Sequence, residues 1–350
     1  MTKTAIVTGA SRGFGRGIAH VLATEGNFKV FATARNKSAL DALKDEVDSF
    51  KGDGELIPYV LDQNNDEDVK KFSEEIILKE EKIDLLVNSA YQGLVAMTPH
   101  FGKLFWERPI SVYDGHMNVG VRSSYVMSKL IVPSMIKNNS GLILQISSYG
   151  GFFYLFDVGY GVAHAAMDRL SYDMAVELKE HNVRAITLHP GGGQTEIAAF
   201  PGGESPQYVG RAVRALIDNA DDSFLSKSNG KTLFTVDLSK KFGFREDYDH
   251  DGSINEKRYE KIPINQLGDD IEYKLIPMHK ERDGSGSGLI ILGALVLAGD
   301  IIYDWLHGWK VIINKRDAVR YKYGQQIQVS VKPDVNLNTQ YAGINFRLFF

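Results

Sequence analysis

At 350 residues the chain has room for one α/β core of about 250 residues with an appendage, or for two domains. It contains no cysteine, which excludes disulfides, thiolate nucleophiles and cysteine zinc sites, so any chemistry falls to hydroxyls, carboxylates, His, Lys or a cofactor. A net charge of -4 offers none of the positive field on which DNA or RNA binding depends, and no nucleic-acid partner is expected.

The chain opens on a short apolar run, residues 5–7, followed by Thr8-Gly9-Ala10-Ser11-Arg12-Gly13-Phe14-Gly15 and an amphipathic run with Ile18, Ala19, Val21 and Leu22. That order reads as strand, tight turn and helix. Glycines let backbone approach a pyrophosphate closely, and a helix beginning near Phe14 aims free N–H groups and a positive dipole end at that charge. Nucleotide binding is therefore expected rather than an ordinary glycine turn. With a strand beginning by Thr4 there is no space for the charged and apolar segments of a secretory signal, and the N-terminal core is expected to face the cytosol.

Residues 28–34 form a β-rich run ending in Arg35, where a second parallel strand delivers a side chain to an adenosine ribose. An acid there accepts a bond from the 2′-OH. Arg35 with Arg12 instead offers positive charge to a 2′-phosphate, which favours NADPH over NADH unless both are solvated surface charges. A helix over 38–51, a strand over 56–61 ending at Asp62, a helix over 66–80 and a strand over 83–87 ending in Asn88-Ser89-Ala90-Tyr91 continue the alternation. Polar side chains thus collect at the carboxyl ends of strands, the edge at which open parallel sheets bind ligands.

A loop over 93–109 carries Phe101, Phe105 and Trp106, and a helix is expected over 111–135 with Asn118 in its middle, either for a polar duty or as a solvated residue. A strand over 142–146 runs into Ser147-Ser148, Tyr160 opens a long helix reaching 180, and a strand over 183–188 leads to His189-Pro190-Gly191-Gly192-Gly193-Gln194-Thr195. About seven strands separated by helices specify a doubly wound parallel sheet with right-handed crossovers over residues 1–240.

The glycine loop, Asp62, Asn88, Asn118, the Ser pair, Tyr160 and Pro190-Gly191 leading to Thr195 together resemble the short-chain dehydrogenase/reductase family in order and spacing. Phe105-Trp106-Glu107, Asn88-Ser89-Ala90-Tyr91, Gln194-Thr195-Glu196 and residues 230–245 are similar to one branch of it. The resemblance implies a Rossmann-like α/β fold and an NADP(H)-dependent reaction in which Tyr160 protonates a carbonyl oxygen during hydride transfer. Ser148 would hold that oxygen, with Ser147 as the alternative, and Asn118 would position a proton-relay water. Cofactor contacts are implied for Thr8, Gly9, Ser11, Arg12, Gly13, Phe14, Gly15, Arg35, Asp62, Asn88, Ala90, Tyr160, His164, Pro190, Gly191 and Thr195.

One departure matters. The family's lysine, one helical turn after the tyrosine, is His164 here. With a reference pKa of about 6.5 an imidazole is mostly neutral at pH 7, so the field on Tyr160 and the number of donors both fall, and slow turnover is expected.

Phe152, Phe153, Tyr154, Phe156 and Phe200 cluster near the implied site and form either an apolar pocket for ketones, aldehydes or steroid-like carbonyls or part of the core. The resemblance implies that residues 241–283 continue the family's C-terminal part. Within it, residues 247–254 match the first eight positions of an EF-hand loop, but Arg258 stands where the closing Glu belongs, so a solvated acidic turn is expected and no metal site. Residues 284–288 read as a Gly/Ser linker. Residues 289–350 lie outside the resemblance. Their apolar run over 289–298 is too short to span a bilayer, although Trp305, Trp309 and Lys310 suit peripheral attachment, as at the cytosolic face of the endoplasmic reticulum, or docking on protein. Ile327, Val329 and Val331, then Ile344, Phe346, Leu348 and Phe350, alternate as two strands.

Two functions compete: an NADPH-dependent carbonyl reductase, which as a homo-oligomer or alone acts on a small apolar carbonyl, and a dinucleotide-binding sensor or scaffold that has lost efficient catalysis at His164.

Overall fold

The computed structural model describes residues 2–50, 52–198 and 203–246 in full and the strands over 328–336 and 341–349 by their pairing. By contacts the chain divides into two units, Met1–Arg258 and Tyr259–Phe350.

In the first unit the strands β1 (Lys3–Thr8), β2 (Phe28–Ala34), β3 (Glu55–Val60), β4 (Leu85–Asn88), β5 (Gly141–Ile146), β6 (Val183–His189) and β7 (Thr232–Phe234) form one sheet. Its order is β3-β2-β1-β4-β5-β6-β7, and every pair is parallel. Strand order reverses at β1, which has β2 on one side and β4 on the other, and it is at the carboxyl end of such a switch point that open parallel sheets bind ligands. Pro58 is tolerated in β3 because that strand is an edge.

The helices are α1 (Gly13–Thr24), α2 (Lys37–Ser49), α3 (Asp66–Lys79), α4 (Gly93–Met97), α5 (Ile110–His116), α6 (Ser123–Lys137), α7 (Val158–Glu177), α8 (Pro206–Asp218), α9 (Asp222–Ser228) and α10 (Thr235–Phe242). The sheet is buried on both faces, as parallel sheets require. Ala5 and Val7 join Ile18, Leu22, Val209 and Val213 in one core, whereas Ile6 between them joins Phe72, Ile76, Met127 and Ile131 in the other. Helices α1 and α8 meet without side chains at their crossing: a Cβ on Gly17 would lie 2.2 Å from the Pro206 carbonyl carbon, and one on Gly210 would lie 2.7 Å from the Gly17 oxygen.

Two expectations need correction. The loop over 93–109 contains the short helix α4 and two 3-10 turns, Thr98–His100 and Phe105–Glu107. The single helix over 111–135 is two helices, α5 and α6, parted by a wide turn, Met117–Arg122. There Val119 leaves helical geometry (φ -107°, ψ 89°), and its carbonyl accepts the Gln92 N–H at 2.9 Å instead of closing a helical turn. Ser123 and Ser124 satisfy the freed Gly120 groups, Oγ of Ser123 accepting from the Gly120 N–H and the Ser124 hydroxyl donating to the Gly120 carbonyl.

In the second unit β8 (Gln328–Asn336) and β9 (Tyr341–Phe349) pair antiparallel, with Val329 opposite Leu348 and Val331 opposite Phe346, as their alternation anticipates. The acidic stretch over 247–258, the Gly/Ser linker, the apolar segment over 289–313 and Phe200 lie outside the described residues. Among the described residues no helix is long and apolar enough to cross a membrane.

Candidate active site

The glycine loop follows from what its neighbours leave free. Gly9 has φ +72°, and a Cβ there would lie 2.7 Å from the Ala90 Cα, while a Cβ on Gly15 would lie 2.4 Å from the Gly9 oxygen. Only glycine fits between the loops after β1 and β4. Thr8 ties the two together, its Oγ1 accepting the N–H groups of Ser89 and Ala90 at 3.0 and 3.1 Å.

The Ala10 N–H donates to the Thr33 carbonyl at 3.0 Å, which brings Arg12 and Arg35, each two residues further on, to the same edge of the sheet. Both are exposed, and neither forms an ion pair or side-chain hydrogen bond among the described residues. Ser11 is half-buried in the loop. At the start of α1 the Gly13 N–H donates to a carboxylate, Glu196 Oε2, at 2.8 Å. That contact shows the helix N-terminus acting as an anion cradle.

Loops from the other strands close around this point. Thr195, folded onto Ala198 through its hydroxyl, has its methyl 3.6 Å from where a Gly13 Cβ would stand, and Phe14 packs where a Gly193 side chain would be, 2.5 Å from such a Cβ. A Cβ on Gly191 would lie 2.8 Å from Glu204 Oε1, and Pro190 before it is buried. Asp62 caps its own turn, accepting from the Asn64 N–H at 3.0 Å. Asn88 is buried, donating from Nδ2 to Ser128 at 3.0 Å while its Oδ1 finds no partner among the described residues.

Helix α7 presents the reactive candidates. Asp157 caps it, accepting the Tyr160 N–H at 2.6 Å, which sets Tyr160 in the first turn and His164 one turn later. Tyr160 is 6% exposed. Burial pushes its phenol up to about 12, against the opposing influence of the nearby Ser148 hydroxyl. His164 is 5% exposed; burial, with His189 and His116 nearby, pushes it down to about 3, so the imidazole is neutral. Its Nδ1 lies 3.2 Å from Ser147 Oγ, and its Nε2 has no partner among the described residues. The two serines therefore divide their duties, Ser148 to Tyr160 and Ser147 to His164.

Asn118 lies in a turn that packs on α7. It sits exposed in the turn between α5 and α6, with no side-chain hydrogen bond to Tyr160 or His164. Phe152, Phe153 and Tyr154 are not core: they are 56%, 47% and 73% exposed and, with Phe101, Phe105 and Trp106, leave apolar surface to solvent. Phe156 links that surface to the site, its ring 4.9 Å from Tyr160 and 6.1 Å from Phe101. A cavity of about 310 Å³ lies elsewhere, lined by Glu25, Arg211, Arg214 and Arg245, with Arg211 and Arg214 paired to Glu25.

Sequence reasoning missed Glu196, Tyr91, His116, Asp157 and Arg108. Only Asp157 carried a local signal, an acid three residues before Tyr160 at the start of a helix. The features at this edge that suit a dinucleotide are a cradle that already holds a carboxylate, glycines at 9 and 15 with no space for a Cβ, two exposed arginines, and buried atoms of Asn88 and His164 without partners among the described residues.

Residues 3–201 match the short chain dehydrogenase family. The chain is 36% identical over 262 residues to dehydrogenase/reductase SDR family member 1 of Mus musculus, spanning 69% of this chain and 82% of that one. Among solved structures it is similar to a metagenomic short-chain oxidoreductase in complex with NADP (26% identity, TM-score 0.56, covering 66% of this chain and 96% of that one). It is also similar to a 7α-hydroxysteroid dehydrogenase complexed with NADH and 7-oxo glycochenodeoxycholic acid (26% identity, TM-score 0.58, covering 66% and 92%).

Proposed function

Because the chain belongs to the short-chain dehydrogenase family of oxidoreductases, we propose that it is an NADPH-dependent reductase of small apolar ketones, aldehydes or steroid-like carbonyls. The observation that carries this reading is the buried, neutral Tyr160 with Ser148 beside it at the carboxyl edge of the sheet.

In this reading the glycine loop and the α1 N-terminus hold a pyrophosphate, Asp62 and Asn88 frame an adenine, Thr195 and Pro190-Gly191 meet the nicotinamide, and Arg12 with Arg35 takes the 2′-phosphate. The bound NADPH supplies the hydride. As the carbonyl carbon gains it, negative charge develops on oxygen; Ser148 donates to that oxygen and Tyr160 gives it a proton, leaving a phenolate that solvent reprotonates. A phenol near pKa 12 is about one part in 10⁴ ionised at pH 8, which favours Tyr160 as the acid of reduction over the base of oxidation. The exposed aromatic surface beside Tyr160 supports an apolar substrate. Peripheral membrane attachment over 289–313 is supported by the sequence alone, as is a homo-oligomer by the family.

The neutral, buried His164 favours a second reading, a dinucleotide-binding sensor with little catalysis. NADPH consumption against a panel of ketones, aldehydes and quinones, together with a direct NADPH titration, separates the two. Turnover of apolar ketones is expected; tight NADPH binding without turnover on any compound selects the sensor.

His164→Lys restores an ammonium beside Tyr160 and lowers its pKa, each unit being worth about 1.4 kcal/mol between protonation states. Alcohol oxidation, which needs the phenolate, is expected to rise by about tenfold or more and reduction by less. An unchanged oxidation rate in a folded variant would show that His164 does not limit that direction.

Glu196 occupies a hydrogen bond that the reading reserves for the cofactor. Glu196→Gln removes a competing anion from the cradle and should tighten NADPH about threefold by fluorescence titration, since a charge at a helix N-terminus is worth about 0.3–1 kcal/mol. Weaker binding would instead make Glu196 part of the cofactor's support.

A further inference from the structure

Beside Tyr160 runs a chain of buried polar groups that the reaction just described does not use. The Tyr91 hydroxyl lies 2.5 Å from His116 Nδ1, His116 Nε2 lies 3.4 Å from Asp157 Oδ2, and Asp157 in turn caps Tyr160 and pairs with Arg108. His116 is wholly buried, and the Arg108 and Asp157 side chains are nearly so. Three glycines clear the space. A Cβ on Gly93 would lie 2.0 Å from His116 Nδ1, one on Gly120 would lie 2.8 Å from the Tyr91 ring, and one on Gly159 would lie 2.7 Å from His116 Cδ2.

The polarity of the chain is set from one end. Burial opposes ionisation of Asp157, but the hydrogen bonds from His116 and the Tyr160 N–H and the Arg108 guanidinium prevail and hold its carboxyl below the usual range. An anion there keeps a proton on His116 Nε2 and leaves Nδ1 as the acceptor for Tyr91. Burial, with Tyr160 and Asp157 nearby, raises the Tyr91 phenol well above its ordinary value, so Tyr91 is a donor and not a phenolate. A carboxylate orienting an imidazole that accepts from a hydroxyl is an acid–base relay by geometry.

We propose that Tyr91 and His116 are positioning residues that perform the electrostatic work of the missing lysine, with Asp157 holding both them and Tyr160. The inference rests on Tyr160 being the acid of the reaction. When Tyr160 loses its proton, negative charge appears beside a ring whose centre is 6.0 Å from that of His116. The half-buried Tyr91 hydroxyl then passes its proton to His116 Nδ1 and takes another from solvent, and the new N–H donates to the Tyr91 oxygen. The Tyr91 O–H, released from His116, is free to donate within the site, while Nε2–H stays on Asp157. Around His116 the groups that feel this change are Tyr91 from the loop after β4, Asp157, Tyr160 and His164 from α7, and Arg108 through Asp157. A cation at about 6 Å, in a medium of effective dielectric near 20, changes the acidity of a neighbouring phenol on the order of tenfold to a hundredfold.

The decisive variant is Tyr91→Phe, which keeps the ring, 6.1 Å from Tyr160 and 5.0 Å from His164, and removes only the hydroxyl. Its expected effect is a fall in kcat for alcohol oxidation of about tenfold with KM within twofold, and displacement of the limb of the pH–rate profile. In the cofactor-free protein, ¹⁵N-histidine NMR should show His116 as the Nε2–H tautomer and the Tyr91→Phe variant with that preference weakened. His116→Gln should remove the limb; if it fails to fold, Tyr91→Phe decides alone. An unchanged kcat and pH profile in Tyr91→Phe, with Tyr160→Phe inactive, overturns this inference and leaves the reaction intact. Activity surviving in Tyr160→Phe overturns the reaction itself.

Discussion

Tyr160→Phe is expected to lower turnover in both directions by between about 10²- and 10⁴-fold, the range that a positioned acid contributes. The substitution isolates the proton. Phe preserves the ring packing against Phe156, His164 and Tyr91, centred 4.9, 4.2 and 6.1 Å away, so the shape of the site survives. What is lost is the O–H beside Ser148, so a thermal melt should register only a small shift. NADPH affinity should change less than about twofold, because the hydroxyl is one contact among many. Residual turnover above a tenth of the parent rate in a folded, NADPH-binding variant would remove Tyr160 from its role and with it the carbonyl-reductase reading.

The double substitution Arg12→Ala with Arg35→Ala is expected to weaken NADPH on the order of 100-fold while changing NADH less than about threefold, because two charge-assisted contacts to a 2′-phosphate are lost and the 2′-OH of NADH never made them. The geometry makes the pair a unit. Ala10 and Thr33 are joined by a backbone hydrogen bond, so the two guanidinium groups rise from one edge, and neither is already committed to an acid among the described residues. Screening separates this from a structural effect: NADPH affinity in the parent should fall steeply between low and high salt, and the variant should lose that slope. Equal losses for both dinucleotides would return the arginines to solvated surface charges.

How much of the site was readable depended on chain separation. The loop over 8–15 and β2 with Arg35 behind it were legible because each is local: an apolar run, glycines and an amphipathic helix in immediate succession leave few other conformations. Tyr160 was legible for the same reason, on the first turn of a helix that begins at Asp157. The network around it was not. Tyr91 and His116 are 25 residues apart, His116 and Asp157 are 41 apart, and Gly13 and Glu196 are 183 apart, and nothing in a periodicity or a propensity couples such positions.

Phe152, Phe153 and Tyr154 make the same point from the other side, since a run of aromatics carries identical hydrophobicity in a core or on a rim, and only the course of the neighbouring chain left these exposed. Asn118 was placed by its motif in a continuous helix, but Gly120, Ser123 and Ser124 allow the backbone to break there and the Val119 carbonyl to turn to Gln92. By itself the sequence determined the alternation of strands and helices, the glycine turn, the exchange of lysine for His164 and the absence of thiol chemistry, because these follow from residue type and near neighbours. The tertiary structure alone decided that Ser147 meets His164, that His164 is neutral and nine-tenths buried, and that Tyr91, His116 and Asp157 touch, because burial and hydrogen bonding across the sheet edge arise only when strands far apart in the chain are laid side by side.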